Sequence, residues 1–131
     1  MAVTETTTRR PLATAIRKVS LAWTSDASGD ASITTIKQAG ILVGVAFVPG
    51  SGGSQPTNLY DVTLTDDNGV DILSGQGANL SNATATRVCP GVPFKDGTTT
   101  GTAPIPLDDT LDLVVAAAGN AKSGTVVLYL R

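Results

Sequence analysis

The residues best able to do chemistry in this chain are carboxylates. Asp66, Asp67 and Asp71 stand around Asn68 and Gly69 in the run from Leu59 to Leu73, LYDVTLTDDNGVDIL. An acidic run broken by glycine has the composition of a Ca²⁺ loop, where oxygen ligands converge on the ion from a sharply turning backbone. In the EF-hand version the glycine holds the sixth of twelve positions, and the key carboxylates hold the first and the twelfth. With Gly69 as that glycine, Leu64 takes the first position and Gly75 the twelfth, so both carboxylates are missing. The run therefore reads as a solvated hairpin tip, and Asp108, Asp109 and Asp112 as a solvated turn. No metal ligand is expected among them.

The other candidates fail on composition or spacing. The chain has no histidine, which removes the commonest general base and the commonest neutral metal ligand together. No serine can then join a Ser-His-Asp triad. Cys89 lacks a histidine to activate it and precedes Pro90, so a half-buried structural thiol is expected there and not a nucleophile. Paired carboxylates could serve a glycosidase, but such sites usually also need aromatic platforms. One Trp, two Tyr and two Phe leave little for that purpose once a core is filled. Gly75-Gln76-Gly77 lacks the third glycine of the dinucleotide fingerprint, and no Gly-Lys pair exists for a P-loop. The basic residues are dispersed and not interleaved with aromatics, which argues against nucleic acid as a partner. The sequons at Asn79 and Asn82 read as chance matches in a chain rich in Ser and Thr. The expectation is a protein with no catalytic residue, no cofactor and no small-molecule substrate.

The elements around these residues follow from period-two alternation. Asn68-Gly69 between alternating runs is a hairpin signal, with Tyr60, Val62 and Leu64 on one face and Val70 and Ile72 able to meet them from the return strand. Val19, Leu21 and Trp23 share a face opposite Lys18 and Ser20, with Trp23 as a core anchor. Asp26 to Asp30 is a turn, and Ala31 to Lys37 a short or bulged strand. Ile41 to Val48 is apolar on both faces, as in a strand buried on both sides or a strand with the core on one side and a second subunit on the other. Gly44 within it hints at close backbone approach or a bulge. Pro49 to Pro56 is loop. Ser74 to Thr86 is an irregular crossing with one helical turn near Ala78 to Ser81. Arg87 to Cys89 is a short strand, and Pro93, Pro104 and Pro106 mark edge or loop positions. Leu111 to Val115 and Thr125 to Leu130 form a last hairpin around Ala118 to Ala121, with Val126, Leu128 and Leu130 on one face. No ten-residue helical pattern and no internal repeat is visible.

These elements define an all-β fold: a single-domain antiparallel β-sandwich or jelly roll of seven to nine short strands. Residues 1–14 read as an extended or disordered arm, and 15–131 as the sandwich. A chain of 131 residues suits one domain and can bury a core without a metal or disulfide. Thr, Ala, Gly and Val dominate, and Glu5 is the only glutamate, a composition poor in helix formers. A net charge of −2 is too small to argue for a charged partner. One cysteine allows no intrachain disulfide, so folding needs no oxidising compartment. Arg9-Arg10 is followed by Arg17 and Lys18 and by no sustained apolar core, so a twin-arginine signal is rejected. The longest apolar run falls far short of the ~20 residues of a membrane-spanning helix, and no membrane partner is expected.

Four stretches carry a resemblance. They are Leu21–Gly29 (LAWTSDASG), Phe47–Leu64 (FVPGSGGSQPTNLYDVTL), Asp71–Asn82 (DILSGQGANLSN) and Gly124–Arg131 (GTVVLYLR). Across most of Leu21 to Arg131 the chain resembles a family of small tailed-bacteriophage virion proteins associated with capsid cement or decoration. The arm before Leu21 and the segment from Cys89 to Thr102 are not covered. The resemblance implies a structural protein made in the host bacterial cytoplasm and located on the virion capsid. There it would bind the outside of the shell and bridge major capsid protein subunits, as a homo-dimer or homo-trimer. A head–tail connector or tail component is the alternative within that class, and a carbohydrate-binding β-sandwich module the alternative outside it. Candidate contact residues are Arg9 and Arg10 on the arm and Leu42, Val43, Ala46 and Val48 on the two-sided strand.

Overall fold

The computed structural model describes residues 2–8, 16–93 and 102–131. The described strands are β1 (Ala2–Thr8), β2 (Arg17–Thr24), β3 (Ala31–Thr34), β4 (Gln38–Pro49), β5 (Asp61–Thr65), β6 (Thr86–Val88), β7 (Val92–Pro93), β8 (Thr102–Ala103), β9 (Ile105–Asp109), β10 (Asp112–Ala116) and β11 (Ser123–Leu130). Nine are three residues or longer, and β7 and β8 form a separate two-residue pair. A large sheet has the order β1-β2-β11-β4-β6, with β9 pairing the first half of β4, and a small sheet has the order β3-β10-β5. Every strand pairing is antiparallel. The fold is an all-β antiparallel sandwich, as the alternation predicts.

One apolar core lies between the sheets. Val19, Leu21 and Trp23 of β2, Val126, Leu128 and Leu130 of β11 and Leu42, Val45 and Phe47 of β4 meet Val62 and Leu64 of β5 and Leu113 and Val115 of β10. Burying a side chain of this size stabilises the fold by about 1.5–3 kcal/mol. Trp23 and Tyr60 join the layers, with ring centroids 5.6 Å apart at an interplanar angle of 49°. Gly124, opposite Trp23 in the ladder, is covered by its indole, and a Cβ at this glycine would lie 2.6 Å from Trp23 Cζ2.

Several expectations change. Val70 is 57% exposed, whereas Ile72 enters the core. The turn is pinned by Asp66, whose N–H donates to Val70 O and whose side chain accepts from the N–H of Asn68 and Val70. The return run then makes a single bridge, Thr65 to Asp71. No helical turn forms at Ala78–Ser81. Instead Leu80 bridges Tyr60 and the Gly77 carbonyl accepts the Val62 N–H, so this crossing packs on the edge of β5. A Cβ on Gly77 would fall 2.1 Å from Val62 O. β10 and β11 are not a hairpin, because they belong to different sheets. Left-handed Ala117 (φ 60°) and Gly119 (φ 87°) redirect the chain, and backbone bonds from Ala118 N to Gly29 O and from Thr57 N to Ala118 O hold the crossing.

The start of the predicted arm is a strand of the large sheet. β1 is extended and pairs with β2 along its whole length, from Ala2 opposite Thr24 to Thr8 opposite Lys18. Arg9, Arg10 and the rest of the arm to residue 14 lie outside the described residues.

Candidate functional site

The sequence singles out two places, the two-sided strand and the acidic tip. The strand is β4. Its pairing with β11 shifts between Tyr129 and Leu130, so Gly44 faces Tyr129, Leu42 faces Leu130, and Val43 is the extra residue of a bulge. The bulge resets the alternation. Leu42 is 1% exposed in the core and unavailable to a partner, which corrects its placement among the contact residues. Val43 is half-buried at the bulge. Ala46 and Val48 lie on the outer face, Ala46 hemmed in by its neighbours and Val48 40% exposed.

That outer face is built mostly of small side chains. One row across the strands runs Thr6, Ser20, Val127, Ala46, Arg87, and the next runs Thr4, Ala22, Thr125, Val48. A third row carries Lys18, Tyr129 and Gly44. The Arg87 guanidinium lies 4.6 Å from the Tyr129 ring centroid and donates to the Tyr129 hydroxyl at 2.8 Å. Charges within these rows are cationic (Lys18 and Arg87), and Arg131 adds a third cation at the end of β11. Five carboxylates stand at the other sheet, Asp61 on β5, Asp112 on β10 and Asp66, Asp67 and Asp71 around the tip, and Asp108 and Asp109 stand on β9 at the end of the large sheet. A shallow depression of about 300 Å³ on the outer face is lined by Thr4, Ala22, Thr24, Val48 and Thr125 among others, and no titratable group lines it.

The aspartates at the tip serve the backbone. Asp71 Oδ1 accepts from Leu64 N at 3.2 Å and Leu73 N at 3.1 Å, and Oδ2 accepts from Gly75 N at 3.1 Å. Asp61 accepts from Asn79 N at 2.8 Å. Thr110 Oγ1 donates to Asp67 at 2.6 Å, and this bond holds the Asp67 carboxyl below its usual range. Desolvation, followed by the neighbouring Asp67, raises Asp109. Two backbone N–H groups, of Asp30 and Ser28, lower Asp26 in the first turn. Among the described residues no cluster of three or more His, Cys, Asp or Glu is arranged to hold a metal ion. Cys89 is exposed, against the expectation of a half-buried thiol.

Sequence reasoning missed three buried polar side chains that hold strand ends and turns together. Ser25 is 3% exposed. Its hydroxyl donates to Gly119 O and accepts the Lys122 N–H at 2.9 Å. Thr35 accepts the Leu111 N–H, and Gln38 Nε2 donates to Glu5 Oε1 at 2.9 Å. Ser25 sits one residue past the alternating run of β2, and that position is the one signal the sequence offers.

Neither a protein-family model nor a curated protein nor a solved structure matches this chain. No helix among the described residues is long and apolar enough to cross a membrane.

Proposed function

We propose that this protein is a structural component of a tailed-bacteriophage virion. In this reading it binds the outside of the capsid shell and bridges major capsid protein subunits as a cement or decoration protein. The observation that carries it is the outer face of the large sheet, a surface of mostly small uncharged side chains with charges at its margin and no titratable group in its depression. Such a surface suits broad contact with another protein and offers nothing to a substrate. The resemblance over most of Leu21 to Arg131 supplies the partner. A protein that binds the assembled shell and not its free subunits stabilises the shell by mass action.

A head–tail connector or tail component would use the same face at far lower copy number. A carbohydrate-binding module needs an exposed aromatic platform, and three of the aromatics do not provide one. Trp23 and Tyr60 are buried and Tyr129 lies beneath Arg87.

Ala46 stands near the centre of the face, between Val127 and Arg87. Ala46→Asp places a carboxylate there. The variant is expected to fold, as judged by circular dichroism, and to fail to co-sediment with shells that lack this protein. A folded Ala46→Asp that binds shells as the wild type does would contradict the reading.

A further inference from the structure

Sheet edges are where unpaired backbone groups invite another chain, and folded proteins shorten, cover or charge them. Most edges of this sandwich are treated in that way. β6 is three residues long and is followed by Pro90. β9 carries Pro106, Asp108 and Asp109. β5 is covered by the crossing through Gly77 and Leu80, and β3 has four residues. β1 is the exception, with seven residues, AVTETTT, and no proline, lysine or bulge. Its one charge, Glu5, is turned toward Gln38 and accepts from Gln38 Nε2 and the Ile36 N–H.

The ladder fixes which groups of β1 are free. Gly50 N donates to Ser123 O and Ser25 N to Lys122 O, which sets the alternation in β11 and β2. Val19, Leu21 and Trp23 direct their backbone groups to β11, and Lys18, Ser20, Ala22 and Thr24 direct theirs to β1. On β1, Thr4 and Thr6 therefore bond β2, while the N–H and C=O of Val3, Glu5 and Thr7 point away from the sheet. Among the described residues no backbone group reaches them there.

We infer that this edge joins a second copy of the chain, β1 against β1, antiparallel about a twofold axis perpendicular to the sheet. The strand suits a second copy of itself, because it is rich in β-branched threonine and its one charge, Glu5, already accepts from Gln38 and Ile36. With Thr6 on the axis, Glu5 falls opposite Thr7 of the second copy, a position where both residues have outward backbone groups to exchange. With Glu5 on the axis two carboxylates would oppose each other, so that register is disfavoured. The twofold continues the large sheet through both copies and sets their outer faces on the same side. It gives a dimer and not a trimer.

The test uses the full chain and light scattering over a dilution series. The wild type is expected at the mass of two chains, falling to one on dilution. Thr7→Pro removes an outward N–H and leaves the β1–β2 bonds in place, so it is expected to be monomeric with an unchanged circular dichroism spectrum. A wild type that is monomeric at every concentration, a trimer, or a folded Thr7→Pro that remains dimeric overturns the inference. Should Thr7→Pro not fold, hydrogen exchange on the wild type decides. The Glu5 and Thr7 amides must be protected when concentrated and exposed on dilution, while Thr4 and Thr6 stay protected throughout. Unprotected Glu5 and Thr7 amides at high concentration overturn it too. A monomer would leave the shell-binding reading standing, because that reading rests on the sheet face and not on its edge.

Discussion

At the scale of single residues, the acidic tip is a backbone clamp. Asp71 gathers three N–H groups from Leu64, Leu73 and Gly75 where the return strand fails to continue the ladder. Asp71→Ala leaves these donors without their acceptor and is expected to lower stability by about 2 kcal/mol in urea unfolding. Asp71→Asn should lower it less, because one oxygen still accepts from Leu64 and Leu73. Burial pushes the Tyr60 phenol from 10.0 up to about 12. Its raised value means that the folded state holds the proton more tightly, so the stability it contributes is complete below the unfolded value and is lost as pH rises toward the folded one. The urea midpoint of the wild type should fall between pH 10.0 and about 12, and Tyr60→Phe should flatten that decline. The sequence made the aspartates visible but not their work. A carboxylate that caps N–H groups two to seven residues away and one that faces water have the same neighbours in the sequence. Ser25, Thr35 and Gln38 were illegible for a related reason, since their partners come from chain segments far away along the sequence.

At the scale of elements, alternation predicts strands well and sheet membership poorly. β2, β5, β10 and the inward face of β11 lie where Val19, Leu21, Trp23, Val62, Leu64, Leu113, Val126 and Leu128 put them. The pattern is the same whether consecutive strands pair or cross between sheets, so β10 and β11 read as a hairpin although Ala117 and Gly119 send them to opposite layers. β4 shows a second limit. A strand apolar on both faces was legible, but the bulge at Val43 moves Leu42 into the core and leaves Ala46 and Val48 outside. Gly44 beside the bulge was the available signal. The Trp23–Gly124 contact gives the element-scale prediction. Gly124→Ala forces the indole or the strand to shift, and overpacking of this kind costs about 1–3 kcal/mol. The variant should unfold at lower urea and show altered Trp23 fluorescence in the folded state. An unchanged midpoint would mean that the indole moves aside freely.

At the scale of the whole molecule, the two sheets differ in what they turn outward. The outer rows of β1, β2, β11 and β4 carry mostly small uncharged side chains with Lys18 and Arg87, whereas carboxylates stand on β9 at the end of the large sheet and around the small sheet and its tip. Nothing in the period of the strands announces this. It arises because most outward positions of four paired strands happen to be Thr, Ser, Ala and Val, a pattern visible only once the register is known. If this face covers a capsid shell, as proposed, quantitative mass spectrometry of purified particles against the major capsid protein should find the protein at an abundance comparable to that of the shell subunit. A few copies per particle, or none, would contradict it.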